Sequence, residues 1–307
     1  MSSGSRGVVI VSGGGAISPF TTADFAASTG FAAGSTDTAL REHLLAAGYR
    51  TFTAPATIGP GQADRDSGFG GFADVPVLLP SEMTINSAGD IDEAGACLVR
   101  FLHHLHQEWG IDTFDVVAHS MGGLFSRAAY RILKQAVSPL RYRSLTTLGT
   151  PWEGAFFADY ALGDIDLSLA RESEFTRAVM TQGKSYESAV SQGAGDQVTH
   201  RYLMGADGWN EQQAGVLDDV PVVLMAGGYF TDDDADPRVW PHDGLVSATS
   251  ALAVDVPSTV LPIRTSHTFD DVHSIFFTDH LGLPMERAIT WDPDVLSAVV
   301  AAIESAQ

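Results

Sequence analysis

Apolar residues along this chain fall into two kinds of run that alternate. Short stretches of strand length lie at residues 8–11, 114–118, 145–148 and 220–226, with a weaker one at 49–53. Between them, apolar side chains recur at helical spacing. Leu40, Leu44 and Leu45 mark a helix over 37–47, closed by Gly48. Ile91, Ala94, Leu98, Phe101, Leu102 and Leu105 mark a longer one over 90–109, with Glu93 at a capping-box distance from Asp90 and Gly110 at its end. Leu124, Phe125, Ala128, Ala129, Ile132 and Leu133 make a third stripe. Asp292-Pro293 opens a last helix that buries Val295, Leu296, Val299, Val300 and Ile303.

Strand and helix in strict alternation predict an α/β fold, a mostly parallel central sheet with helices on both faces. Ligands of such sheets bind outside the carboxyl ends of the strands. Two segments break the alternation. Residues 54–89 are rich in Gly, Pro, Asp and Ser and read as a long connection. Residues 153–219 are polar and weakly periodic, too long for a plain loop inside such a fold, and are expected to form an inserted cap or lid on a single domain spanning 1–307.

Composition narrows the function classes. A net charge of −21 repels nucleic acid and anionic membranes alike, so neither is an expected partner. No segment approaches a membrane span, and residues 8–11 are too short for a leader core, so a cytoplasmic location is expected. Cys97 is the single cysteine; it reads as a small core residue and excludes an intrachain disulfide. The acidic run Asp232-Asp233-Asp234 with Asp236 matches no calcium-loop spacing, and His104 is off the helix face shared by His103 and His106. No metal and no cofactor is expected.

The chemistry lies in Ala118-His119-Ser120-Met121-Gly122-Gly123, between a strand-like run and a helical stripe. A strand that turns sharply into a helix exposes its turn residue and needs small neighbours two positions to either side, here Ala118 and Gly122. Ser120 is thus the candidate nucleophile. A serine hydroxyl requires a histidine to take its proton and a carboxylate to orient that histidine. Asp243, in Pro241-His242-Asp243-Gly244, follows the strand at 220–226 and is the expected acid. Two histidines compete for the base. His267 follows the apolar run 260–263, read as a short strand; residues 265–269 could extend that strand, which leaves His273 on the loop beyond it, and His273 is preferred.

With these residues in view, the chain resembles the α/β-hydrolase superfamily, and within it the bacterial lipases and esterases. The resemblance rests on the Ser120 motif, on Gly149-Thr150-Pro151-Trp152-Glu153-Gly154, on His242-Asp243-Gly244-Leu245-Val246, and on the order Ser, Asp, His. It covers the sheet core and not the two long connections. It implies a cofactor-independent serine hydrolase acting on a small-molecule carboxylic ester through an acyl-enzyme, with an oxyanion hole formed by the backbone N–H groups of Met121 and Gly14. One departure is Ser12 in Ser12-Gly13-Gly14-Gly15, where such lipases often carry histidine. Apolar Phe156, Phe157, Tyr160 and Leu162 suggest a hydrophobic acyl or alcohol group. Thioester, lactone or amide cleavage would use the same machinery, and a non-catalytic binding module is the alternative from another class.

Overall fold

The computed structural model describes residues 5–22, 36–64, 77–189 and 194–306. In chain order its elements are β1 (Ser5–Val11), α1 (Thr38–Ala46), β2 (Thr51–Thr53), β3 (Ala56–Thr57), β4 (Ile85–Asn86), α2 (Ile91–Trp109), β5 (Ile111–His119), α3 (Gly122–Gln135), β6 (Arg141–Leu148), α4 (Phe156–Ala161), α5 (Glu174–Ala189), α6 (Ala194–Gln197), α7 (His200–Met204), β7 (Val222–Gly227), α8 (Ala248–Ala251), β8 (Arg264–Phe269), α9 (Ile275–Leu281) and α10 (Pro293–Ser305). Six strands form one sheet in the order β2-β1-β5-β6-β7-β8, and every pairing in it is parallel.

Successive side chains of a strand point to opposite faces, so each central strand must be apolar on both. Val9, Val11, Val116 and Ala118 pack with α2 and α3 on one face. Val8, Ile10, Val117, Leu148 and Met225 pack with α1 and α10 on the other. This double burial is why residues 8–11 and 114–118 read as near-continuous apolar runs. α2 begins where its sequence signals place it: the Asp90 carboxylate accepts from the N–H groups of Asp92 and Glu93, and Gly110 ends the helix in a left-handed conformation. α10 likewise starts on Asp292, with Pro293 in its first turn.

Three segments gain detail. The run at 260–263 is not a strand; Val260 and Leu261 are buried in a turn against the main core, and the strand is the polar segment Arg264–Phe269 that follows. β8 lies at the edge of the sheet and is mostly exposed, so it has no apolar signature. The described part of the 54–89 connection contains β3 and β4, a two-residue parallel pair. The stretch 153–219 is largely helical, carrying α4 to α7, with α4 packed on α5. Among the described residues, no helix is long and apolar enough to cross a membrane. Cys97 is half-buried at the margin of the core, where Arg100 donates to its sulfur at 3.3 Å.

Candidate active site

Ser120 occupies the turn from β5 into α3 with φ of 54°, a left-handed conformation that L-residues other than glycine, Asn and Asp rarely adopt. Such strain persists only where surrounding structure enforces it. Two hydrogen bonds do so: the Ser120 N–H donates to the Leu148 carbonyl at 2.8 Å, and Thr150 Oγ1 donates to the Ser120 carbonyl at 2.7 Å. Gly122 lies against the Val11 carbonyl, leaving no room for a side chain, which is the close approach expected of that position.

The loop after β1 passes directly over this turn. A Cβ on Gly13 would stand 2.9 Å from Ser120 Oγ, and one on Gly14 would stand 2.7 Å from Met121 Sδ. Among the described residues, neither the Gly14 N–H nor the Met121 N–H donates to a protein acceptor. Both residues line one cavity with Ser120. Ser12 anchors the loop from beneath: it is buried, shares a 2.7 Å hydrogen bond with Ser18 Oγ, and donates to the Asp37 carboxylate at the start of α1. Burial pushes the Asp37 carboxyl up to about 7, against the lowering effect of the Ser12 bond.

Asp243 and His273 come together on loops beyond β7 and β8. His273 Nδ1 lies 2.6 Å from Asp243 Oδ2, and the His273 N–H donates to the Asp243 carbonyl at 2.8 Å. Asp243 Oδ1 accepts from the N–H groups of Leu245 at 2.9 Å and Val246 at 2.8 Å. Burial alone would raise this carboxyl. The neighbouring His273 and the two N–H donors outweigh it and hold the pKa below the ordinary carboxylate range. His273 and Ser120 line one cavity of about 240 Å³, together with Gly13 and Gly14. His267 is elsewhere: it sits mid-strand on β8, exposed, in register with Met225.

Two further histidines support the pair. His119 Nε2 lies 2.8 Å from the His273 carbonyl, which can only accept, so Nε2 carries the proton. Burial first, then the adjacent His273, pull the His119 pKa down to about 3, and the ring is neutral. His242 is fixed in the same way. The Gly244 N–H donates to its Nδ1 at 3.0 Å, which leaves Nε2–H for Thr176 Oγ1 on α5, also 3.0 Å away; burial pulls its pKa down to about 4. Sequence reasoning did not give either residue a role. His119 stands beside the nucleophile and His242 beside the acid, and adjacency was the one signal available.

Glycine is required once more at this junction. Gly149 follows β6 with φ of 57°, and a Cβ there would lie 2.9 Å from Asp243 Oδ2 and 3.1 Å from His273 Nδ1. Among the described residues no group of three or more metal-ligating side chains is assembled. In the acidic run, Asp232 faces Arg171 and Asp236 faces Arg238.

A parallel sheet with a strained serine after a central strand, and with an acid and a histidine on later strand-end loops, is a known architecture. The fold is that of the α/β-hydrolases. Solved structures agree: the mature form of a lipase from Bacillus licheniformis matches with a TM-score of 0.50 and 17% identity, over 90% of this chain and 89% of that one. Lipase 1 from Pelosinus fermentans matches with a TM-score of 0.50 and 15% identity, over 99% of each chain. The chain spans 46% of the propeptide form of the Bacillus lipase. No protein-family model and no curated protein sequence matches the chain. At these identities the likeness is one of α/β-hydrolase fold, and the case for chemistry stands on the geometry of Ser120, His273 and Asp243.

Proposed function

We propose that this chain is a serine-dependent carboxylic ester hydrolase with Ser120 as nucleophile, His273 as general base and acid, and Asp243 as the orienting carboxylate. The observation that carries the reading is the 2.6 Å contact between a buried, ionised Asp243 and Nδ1 of His273, which lines the same cavity as strained Ser120. With Nδ1–H held by the carboxylate, Nε2 is left as the acceptor for the serine's proton. Ser120 Oγ attacks the ester carbonyl as Nε2 takes its proton. The Gly14 and Met121 N–H groups receive the negative charge that develops on the carbonyl oxygen, each contributing roughly 3 to 4 kcal/mol. The alcohol leaves with the proton from His273, and water repeats the sequence to release the acid. The helices of 153–219 act as a cap, because Phe157, Val179, Gly183 and Val198 from that segment wall a second cavity that opens on Ser120. Thioesters and lactones present the same electrophile to the same groups.

Hydrolysis of nitrophenyl butyrate by the full chain tests the proposal. Ser120→Ala lowers kcat by on the order of 10⁴ to 10⁶ while leaving the thermal melt in place. Turnover near that of the parent protein in this variant refutes it.

A further inference from the structure

The peptide unit between Asp243 and Gly244 is held at both ends. Its carbonyl accepts the His273 N–H at 2.8 Å, and its N–H donates to His242 Nδ1 at 3.0 Å. A peptide unit is rigid and planar, so turning one end turns the other. His242 therefore fixes the group to which the His273 backbone is hydrogen-bonded.

His242 is in turn held by the cap. Thr176, buried in the first turn of α5, gives its hydroxyl proton to Ser173 Oγ at 2.8 Å. Toward His242 its oxygen can then only accept, and it lies 3.0 Å from Nε2. That contact fixes the tautomer: with the hydrogen on Nε2, Nδ1 keeps a lone pair for the Gly244 N–H. Rings complete the seat. The His242 imidazole lies 4.9 Å from the Phe156 ring, 4.8 Å from Phe230 and 4.7 Å from Trp240, centroid to centroid. Phe175, next to Thr176, stacks on Phe230 at 4.4 Å, and Phe230 and His242 exchange both of their backbone hydrogen bonds at 3.0 Å. Further along the same helix, Val179, Gln182 and Gly183 wall the cavity that opens on Ser120.

Resting on the ester-hydrolase reading above, we propose that His242 is a positioning residue that couples the cap to the chemistry: through Thr176, His242 and the Asp243–Gly244 peptide, the seating of α5 sets the placement of His273. A cap that only bounded the cavity would act through KM and would matter most for long substrates. A coupled cap acts on kcat, and does so even for an ester too short to reach α5.

Thr176→Val tests the link in the full chain, because it keeps the volume and removes the acceptor. On nitrophenyl acetate it lowers kcat roughly ten- to hundredfold, the scale expected of a displaced catalytic group, and leaves KM within about threefold. Thr176→Ser, which retains the hydroxyl, keeps most of the parent kcat. His242→Phe leaves a ring in the aromatic seat, removes both hydrogen bonds and loses at least as much as Thr176→Val. In the double variant the losses do not multiply, since both act along one path. Amide exchange, read by mass spectrometry on peptides covering 242–246 and 271–275, is faster in Thr176→Val than in the parent. If the valine variant does not fold, Thr176→Cys, with sulfur as a weaker acceptor, gives a smaller loss of kcat in the same direction. An unchanged kcat in folded Thr176→Val, a loss confined to KM, or multiplying losses in the double variant overturns the coupling. A folded parent protein that neither cleaves esters nor reacts with a fluorophosphonate refutes the ester-hydrolase reading instead. The exchange measurement then still decides the link, and unchanged exchange in Thr176→Val overturns it.

Discussion

Replacing Asp243 by asparagine alters one atom at the centre of the site and leaves its shape in place. In the native protein Oδ1 accepts two backbone N–H groups, from Leu245 and Val246, and Oδ2 accepts His273 Nδ1–H. An asparagine has one accepting oxygen. If that oxygen stays on the two backbone donors, the side-chain amide faces Nδ1, which must then give up its hydrogen; the proton moves to Nε2, and His273 no longer accepts from Ser120. Flipping the amide restores Nδ1–H but leaves two buried N–H groups unmet, at about 1–3 kcal/mol each. The inactive tautomer is therefore favoured. A wrong tautomer in a serine–histidine–aspartate triad lowers kcat about 10⁴-fold, equivalent to about 5 kcal/mol at 1.36 kcal/mol per decade. The assay is kcat/KM on nitrophenyl butyrate, with circular dichroism and a thermal melt to show that the fold is retained. A folded Asp243→Asn variant within tenfold of the parent would refute the reasoning, because Asp243 would then not govern the proton on His273.

Other predictions draw on different parts of the molecule. Gly149→Ala introduces a Cβ 2.9 Å from Asp243 Oδ2 at a left-handed φ, and is expected to cost about 1–2 kcal/mol of stability and to lower kcat more than a hundredfold; a melt and an esterase assay check both, and an active variant contradicts the packing argument. Arg127, buried between the rings of Trp152 at 4.2 Å and Trp209 at 4.8 Å and donating to Asn210, ties α3 to the 153–219 segment; Arg127→Ala should lower stability by about 2–4 kcal/mol in chemical denaturation, and an unchanged midpoint would count against it. Burial first of all raises four carboxyls, Asp37 and Glu153 to about 7, Asp159 to about 6 and Asp271 to about 8. Each keeps in the folded state a proton that the unfolded chain has released, so its contribution is present below the unfolded pKa near 4 and is lost as pH rises through the folded value; Tm should fall from pH 5 to pH 8, and a rise over that window would contradict the assignment.

How much of this could be read from residues alone depends on whether the determining contact is local. α2 was legible at both ends because Asp90, Glu93 and Gly110 act within one turn of the helix they bound. The turn at Ser120 was legible because β5 and α3 flank it directly. β8 was legible only in part: residues 265–269 could be read as extending a strand, but an exposed edge strand buries no apolar face, and the apolar residues just before it, Val260 and Leu261, are drawn into the core from a turn. β3 and β4, two residues each, are too short to leave a period. Within α5, small and polar residues such as Thr176 and Gly183 occupy buried positions, so the cap helices show no strong stripe. The roles of Ser12 and His119 depend on partners 25 and 154 residues away, and beyond the adjacency of His119 to Ser120 no pattern along the chain announces them.

The central claim is that Ser120 is a nucleophile activated by His273, and covalent labelling tests it without any choice of substrate. The folded protein is incubated with a fluorophosphonate, and the rate and position of the adduct are followed by intact-mass and peptide mass spectrometry. A single adduct on Ser120, formed at the parent rate in His267→Ala and slowed at least a hundredfold in His273→Ala, is the predicted result. An unlabelled parent protein, an adduct on another residue, or slow labelling in His267→Ala with normal labelling in His273→Ala would contradict it.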